Sequence, residues 1–274
     1  MTSFYLFLNN SLQNGAQAYT NMTGLLYPMN TKGSQNGYVW AAPQKGWIYD
    51  SSVSGACIPS GVYTTSGQFL TRASGIVIDF NNGRVISPYN WGPLLSGGYS
   101  VPNYNLYISD ESTTNFWLDQ VFNSNPNVAY KATGAPDTPF FAPCIILTNA
   151  NDRNDPFAFG GLDQTRNTIR TYIISNNGFN QEGAQSWIRD LARTYFALAP
   201  FGAAPLIVPS GDIKGSDFNY QTGICQTYGL TPGVYIEAIH GFKLSQRASD
   251  TVTFQASVME VDTNTLRQPR ANQT

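Results

Sequence analysis

Charge is scarce in this chain. Of 274 residues only 12% are Asp, Glu, Lys or Arg, and His240 is the single histidine. Few side chains remain to solvate a monomer or to carry acid–base chemistry. The cysteines, Cys57, Cys144 and Cys225, are odd in number and far apart. That excludes a disulfide framework and CxxC metal spacing, and the thiols are expected to be free and buried. No run of about 18 apolar residues exists, so no helix is expected to span a membrane. The opening Met1-Thr2-Ser3-Phe4-Tyr5-Leu6-Phe7-Leu8 is too short for a secretory core and has no basic flank. The expectation is synthesis in the cytoplasm. A net charge of −2 and a pI near 5.3 leave no footprint for nucleic-acid binding.

What fills the space is Asn, Ser, Thr, Gln, Gly and aromatics, with 42% hydrophobic residues overall, enough for a substantial core. Up to residue 110, short apolar runs alternate with Gly, Pro, Asn and Ser: Tyr38-Val39-Trp40, Gly46-Trp47-Ile48-Tyr49, Gly61-Val62-Tyr63, Gln68-Phe69-Leu70. Such spacing reads as strands of a sandwich or barrel. Ile76 to Ile86 reads as a hairpin, because two β-branched runs flank Asn81-Asn82-Gly83, residues that tolerate positive φ. A further strand is expected at Tyr104–Ser109.

Beyond this the character changes. A helix is expected over Thr113 to Phe122, capped by Asp110 or Ser112, then strands at Phe141–Thr148 and Thr168–Ser175 with a polar loop, 149–168, between them. Ala184, Trp187, Ile188, Leu191, Ala192 and Tyr195 recur at spacings of three and four, predicting a helix capped by Asn177 or Asn180 that ends before Pro200. Strands follow at Gly233–Gly241 and around Val252, Phe254, Ala256 and Val258, whose alternation with Thr253, Gln255 and Ser257 predicts a half-buried antiparallel strand. The expected fold is α+β. Residues 1–110 form a β-rich, sandwich- or barrel-like part, 111–262 an antiparallel sheet with two packed helices, and 263–274 a flexible tail.

Candidate chemistry is thin. His240 lies in a predicted strand outside any catalytic motif and is read as structural. No nucleophile elbow, P-loop or zinc motif occurs. Asn149 to Asp155 offers oxygen donors, yet Arg153 intrudes and a plain Asx-rich loop is the better reading, so no metal is expected. Among 17 acidic residues no pair is privileged for glycoside hydrolysis. Trp40, Trp47, Trp91 and Trp117 could stack on sugars, although core positions are the simpler reading. The expectation is a protein that is not an enzyme and has no cofactor.

Low charge, abundant Asn and aromatics, the hairpin Ile78-Asp79-Phe80-Asn81-Asn82-Gly83-Arg84-Val85, and the layout from Pro143–Thr148 through Asp155-Pro156-Phe157 to Trp187–Leu191 carry a resemblance. In style and layout the chain resembles virion structural proteins of tailed bacteriophages, in particular head–tail neck proteins: adaptors, stoppers and tail terminators. The resemblance implies a closed ring of identical subunits, stacked between portal-side and tail-side virion proteins. DNA would pass through such a ring without specific binding. It implies location in the virion after synthesis in the host cytoplasm, with no membrane partner. Asn151, Asp152, Arg153, Asn154, Asp155, Phe157, Phe159, Arg267 and Arg270 are the candidate interface residues, because a polar loop and a tail can order against a neighbour. The alternative is a glycan- or receptor-binding β-sandwich module of a tail or fibre.

Overall fold

A computed structural model describes residues 1–29, 37–110, 143–156, 163–175, 177–199, 206–207, 212–213, 218–227, 233–244 and 255–267. The fold is α+β and β-rich. Its α-helices among the described residues are α1 (Thr2–Asn10) and α2 (Gly178–Asp190). The strands are β1 (Tyr19–Pro28), β2 (Tyr38–Ala41), β3 (Gly61–Thr64), β4 (Phe69–Thr71), β5 (Val77–Asp79), β6 (Arg84–Ser87), β7 (Leu95–Pro102) and β8 (Asn105–Ile108). They continue as β9 (Cys144–Pro156), β10 (Asp163–Ser175), β11 (Tyr195–Phe196), β12 (Leu206–Ile207), β13 (Asp212–Ile213), β14 (Val234–Lys243) and β15 (Gln255–Arg267).

The chain forms two compact units. One comprises Asn10–Asn103 and Pro200–Gln226, the other Met1–Asn9, Tyr104–Ala199 and Thr227–Thr274. The linear division at 110 and 262 is thereby corrected. β8 pairs in parallel with β9, which draws residues 105–108 into the second unit.

In the first unit a seven-stranded antiparallel sheet has the order β4-β3-β7-β1-β2-β6-β5. β1 joins its halves: Tyr19–Leu26 pairs with β7, while Tyr27 and Pro28 pair with β2. The sheet curls round a core that includes Leu26, Trp40, Trp47, Leu70, Ile78, Val85, Leu95 and Tyr99. Trp47 stacks on Tyr99 with ring centroids 4.6 Å apart. The Ile76–Ile86 hairpin forms as expected, with Asp79 opposite Arg84. The Asp79 carboxylate ties the turn by accepting from Asn82 N at 3.1 Å and Arg84 Nε at 2.7 Å. Gly83 takes a φ of +61°. Residues 46–49, expected as a strand, run as an extended tie instead: Trp47 N donates to the Phe80 carbonyl and Ile48 N to the Ser100 carbonyl.

In the second unit a six-stranded sheet has the order β11-β14-β15-β10-β9-β8. One face carries Ile145, Ile173, Met259 and Val261, all fully buried. α2 packs on β10, β14 and β15 with Gln181, Ala184, Gln185 and Ile188 buried. Its cap is Asn177, whose Oδ1 accepts from Asn180 N at 2.7 Å. Phe4 and Phe7 of α1 pack on Phe196.

Several sequence expectations change here. α2 ends at Asp190 rather than near Pro200, because the following backbone pairs with β14: Arg193 N donates to the Ile236 carbonyl and Ile236 N to the Thr194 carbonyl. Tyr195 therefore leaves the helical stripe for β11. The expected loop 149–168 is mostly strand, since Asn149–Pro156 and Asp163–Ile169 pair across a long hairpin with one bulge. The expected tail begins too early, because Thr263–Arg267 continues β15 against Asp163–Asn167. Ser257, expected on the solvent side, is buried along with Ala256 and Val258, because β15 is covered on both faces at that level. Of the thiols only Cys144 is buried; Cys225 is half-buried and Cys57 exposed, and all are free. The expected helix 113–122 lies outside the described residues.

Candidate functional site

The second face of the six-stranded sheet divides into an apolar half and a polar half. Directly opposed residues share a face, so the register defines its rows. Cys144, Ile146, Tyr172, Ile174, Ala256 and Val258 form the apolar half, with Tyr107 and Leu244 packed against them. Next comes a row of His240, Glu260 and Arg170. The Arg170 guanidinium makes two bonds to Glu260 Oε1, at 2.9 and 3.1 Å. The following row holds Asp262, Thr168 and Asn151, and Thr168 Oγ1 donates to Asp262 Oδ1 at 2.7 Å.

The row after that runs across five strands. Tyr195 opposes Tyr235, Tyr235 opposes Asn264, Asn264 opposes Arg166, and Arg166 opposes Arg153. The tyrosine rings lie 4.7 Å apart. Tyr195 is 55% exposed. Both arginines are exposed and the two middle residues half-buried.

Of the predicted interface residues, the structure places Asn151 and Arg153 in these rows. Asn151, Asp152, Arg153, Asn154 and Asp155 occupy the distal half of β9, and Arg267 ends β15 opposite Asp163. Asp152 belongs to the other face: it accepts from Asn149 Nδ2 at 2.6 Å, and the Asn167 amide, oriented to satisfy its neighbours, donates to Asp152 Oδ1 at 2.6 Å. Phe157, Phe159 and Arg270 lie outside the described residues. Arg166, Asn264, Tyr235 and Tyr195 were missed. Their only signal was position along strands whose register no single sequence reveals.

His240 is exposed rather than packed. Its Nε2 lies 3.8 Å from Asp262 Oδ2, and the Thr168 hydroxyl at that carboxylate donates to Asp262 and not to the imidazole. Geometry for a nucleophile, base and orienting acid is not met there. Among the described residues no group of three or more His, Cys, Asp or Glu is placed to hold a metal ion.

Two features of the seven-stranded unit bear on function. An open groove of about 550 Å³ is lined by Pro28, Met29, Tyr38, Trp40, Asn90 and Pro93. Within its lining Trp40 Nε1 donates to the Gly92 carbonyl, and Asn90 Oδ1 accepts from Gly92 N. Trp40 and Trp47 are core residues, at 1% and 2% exposure, while Trp91 is half-buried and bonded to Ser87 Oγ. Trp117 lies outside the described residues. The second feature is Asp50, only 1% exposed, which accepts from Asn10 Nδ2, Ser52 N, Ser52 Oγ and Tyr220 N at 2.7–3.0 Å. A buried carboxylate with four donors braces the segments that supply them.

No known protein family matches the chain, and no curated protein matches it.

Proposed function

We propose that the chain is a virion structural protein of a tailed phage, a ring-forming component of the head–tail neck of the adaptor, stopper or tail-terminator kind. It would join copies of itself in a closed ring and bind portal-side and tail-side neighbours, without enzymatic activity. The observation that supports this reading best is an exposed apolar row on the seven-stranded sheet. Phe69 opposes Tyr63, and Tyr63 and Leu25 both oppose Ser96, so the three apolar side chains stand in one line across β4, β3, β7 and β1. Phe69, Tyr63 and Leu25 are 43%, 49% and 42% exposed, and Tyr27, two residues along β1 on the same face, is 51% exposed. Exposed apolar side chains gathered on one face of a surface short of charge are what a protein–protein interface core needs.

Light scattering on the purified full chain tests the proposal. The expected result is a closed oligomer of defined mass, reduced to monomer by the pair Leu25→Glu and Tyr63→Glu with an unchanged circular dichroism spectrum. A monodisperse wild-type monomer at high concentration overturns it. The alternative, a glycan- or receptor-binding module of a tail or fibre, is favoured by the mixed aromatic and polar row on the six-stranded sheet.

A further inference from the structure

We infer that the outer edge of β14 docks a second copy of this chain, the two β14 strands pairing antiparallel about a twofold axis at His240. The inference does not rest on the ring-forming reading. Leu244 N donates to the Ala256 carbonyl, so in the alternating ladder Phe242 and His240 also bond inward to β15. Ile239 and Gly241 therefore turn their N–H and C=O groups outward. Before the bulge at Glu237 the outward residue is Ile236, and it is already used, exchanging bonds with Arg193 and Thr194 beside β11. Among the described residues no strand occupies the edge beyond that point. His240, Gly241 and Phe242 are exposed, Phe242 to 56%. An edge of this kind is a template for another strand.

β11 sets the register. It blocks the edge at Val234–Ile236, so an incoming β14 can run only along Glu237–Lys243. Antiparallel pairing over that span sets Ile239 opposite Gly241 on both sides of the axis, each pair exchanging both of its hydrogen bonds. The side chains then complement themselves. Phe242 comes opposite Ala238 and Ile239 opposite Gly241, a large group meeting a small one each time. A Cβ at Gly241 would first meet Arg189 and Met259 at 3.8 Å, which leaves room over it for the other copy's Ile239. Glu237, exposed, comes opposite Lys243, a residue of opposite charge. His240 meets its own copy on the axis, each imidazole with Asp262 3.8 Å away to balance a positive charge. A shift of two residues either drives the strand into β11 or shortens the pairing and loses these matches. An unrelated extended peptide would match the backbone but not the side chains, so the occupant is a second copy. α2 packs chiefly over β10 and β15, back from this edge, so the helices of the two copies do not collide.

The contact is short and therefore weak between two lone chains, so the test traps it. The full chain carries Cys57→Ser, which removes the exposed thiol. In that chain His240→Cys sets two thiols across the axis at a non-hydrogen-bonded pair, where Cα atoms are about 4.5 Å apart and a disulfide can close. On mild oxidation, read on a non-reducing gel, His240→Cys should form a cross-linked dimer about tenfold faster than Phe242→Cys, whose counterpart lies roughly 13 Å along the strand. A mixture of Ala238→Cys and Phe242→Cys chains should cross-link to each other, which checks the register without touching His240. Adding Glu237→Lys to His240→Cys should slow the cross-link about tenfold, because like charges then face each other at both ends, and adding Lys243→Glu as well should restore it. The same measurement in the chain carrying Leu25→Glu and Tyr63→Glu separates this contact from the ring, since the cross-link should persist there. His240 is exposed, so the fold should persist, and unchanged circular dichroism would establish that. No dimer from either His240→Cys or the mixture, equal rates for His240→Cys and Phe242→Cys, or no rescue by the double charge reversal would each overturn the inference.

Discussion

The Cys144 thiol lies 1% exposed at the start of β9, and burial pushes its pKa up to about 12 from an ordinary value of 9.0. The Tyr5 hydroxyl is raised to about 12 from 10.0, chiefly by burial and secondarily by Tyr107. Both are acids that the folded chain keeps protonated more tightly than the unfolded chain does. Their contribution to stability is therefore complete below pH 9 for Cys144 and below pH 10 for Tyr5, and is lost as pH rises toward about 12. Denaturant midpoints should fall across that window, and Cys144→Ala with Tyr5→Phe should flatten the fall. An unchanged slope in the double variant would assign the alkaline loss to other groups. At pH 8 the same burial should leave Cys144 inert to an aromatic disulfide reagent while the exposed Cys57 reacts at once.

At the scale of elements, the Asp79–Arg84 hairpin rests on its turn. Gly83 has a φ of +61°, and a Cβ there would stand 2.2 Å from the Gln44 carbonyl oxygen. Gly67, in the turn between β3 and β4, has a φ of +82° with nothing within 4 Å. Gly67→Ala should therefore cost only backbone strain, about 1 kcal/mol, whereas Gly83→Ala adds a backbone collision and should cost about 2 kcal/mol or more. Thermal denaturation of the two variants decides it, and equal losses would refute the collision argument. This hairpin was legible in the sequence because its β-branched runs and turn residues agree. β1 and β7, at the centre of the same sheet, were not. Gly24 opposes Gly97 in their ladder, and a Cβ on Gly98 would meet Cys57 Sγ at 2.8 Å. Close approach demanded residues of poor strand propensity, so packing overrode the local signal. The long β9–β10 hairpin was hidden for a related reason. Its distal strands are polar on both faces, and only their pairing, which is non-local for β15, makes them strands. The candidate site suffered the same way: Asn151–Asp155 stood out as a polar cluster, while Arg166, Asn264, Tyr235 and Tyr195 became neighbours only through register.

For the whole molecule, the discontinuity of both units has a consequence for fragments. A cut after residue 110 follows the visible change in sequence character, yet it divides both units. The fragment 111–274 lacks β8, which extends the six-stranded sheet beside β9, and lacks α1, whose Phe4 and Leu8 are 1% and 0% exposed. Each lost large core side chain costs about 3–5 kcal/mol, so two of them consume most of a typical domain's 5–15 kcal/mol. The fragment 1–110 keeps its seven strands but loses Tyr220 and Ile224, buried to 3% and 1% exposure, and the Tyr220 N–H that serves Asp50. That leaves a buried carboxylate with one donor fewer and an open flank, a loss of several kcal/mol in sum. Neither fragment should unfold cooperatively alone, and mixing them should restore a cooperative transition. Independent cooperative unfolding of 1–110 would mean instead that the seven-stranded sheet is self-sufficient and that the 218–226 segment is an accessory to it. The variant Asp50→Ala in the full chain separates these outcomes, because it should lower stability by about 3 kcal/mol only if the brace between Asn10, Ser52 and Tyr220 holds the unit together.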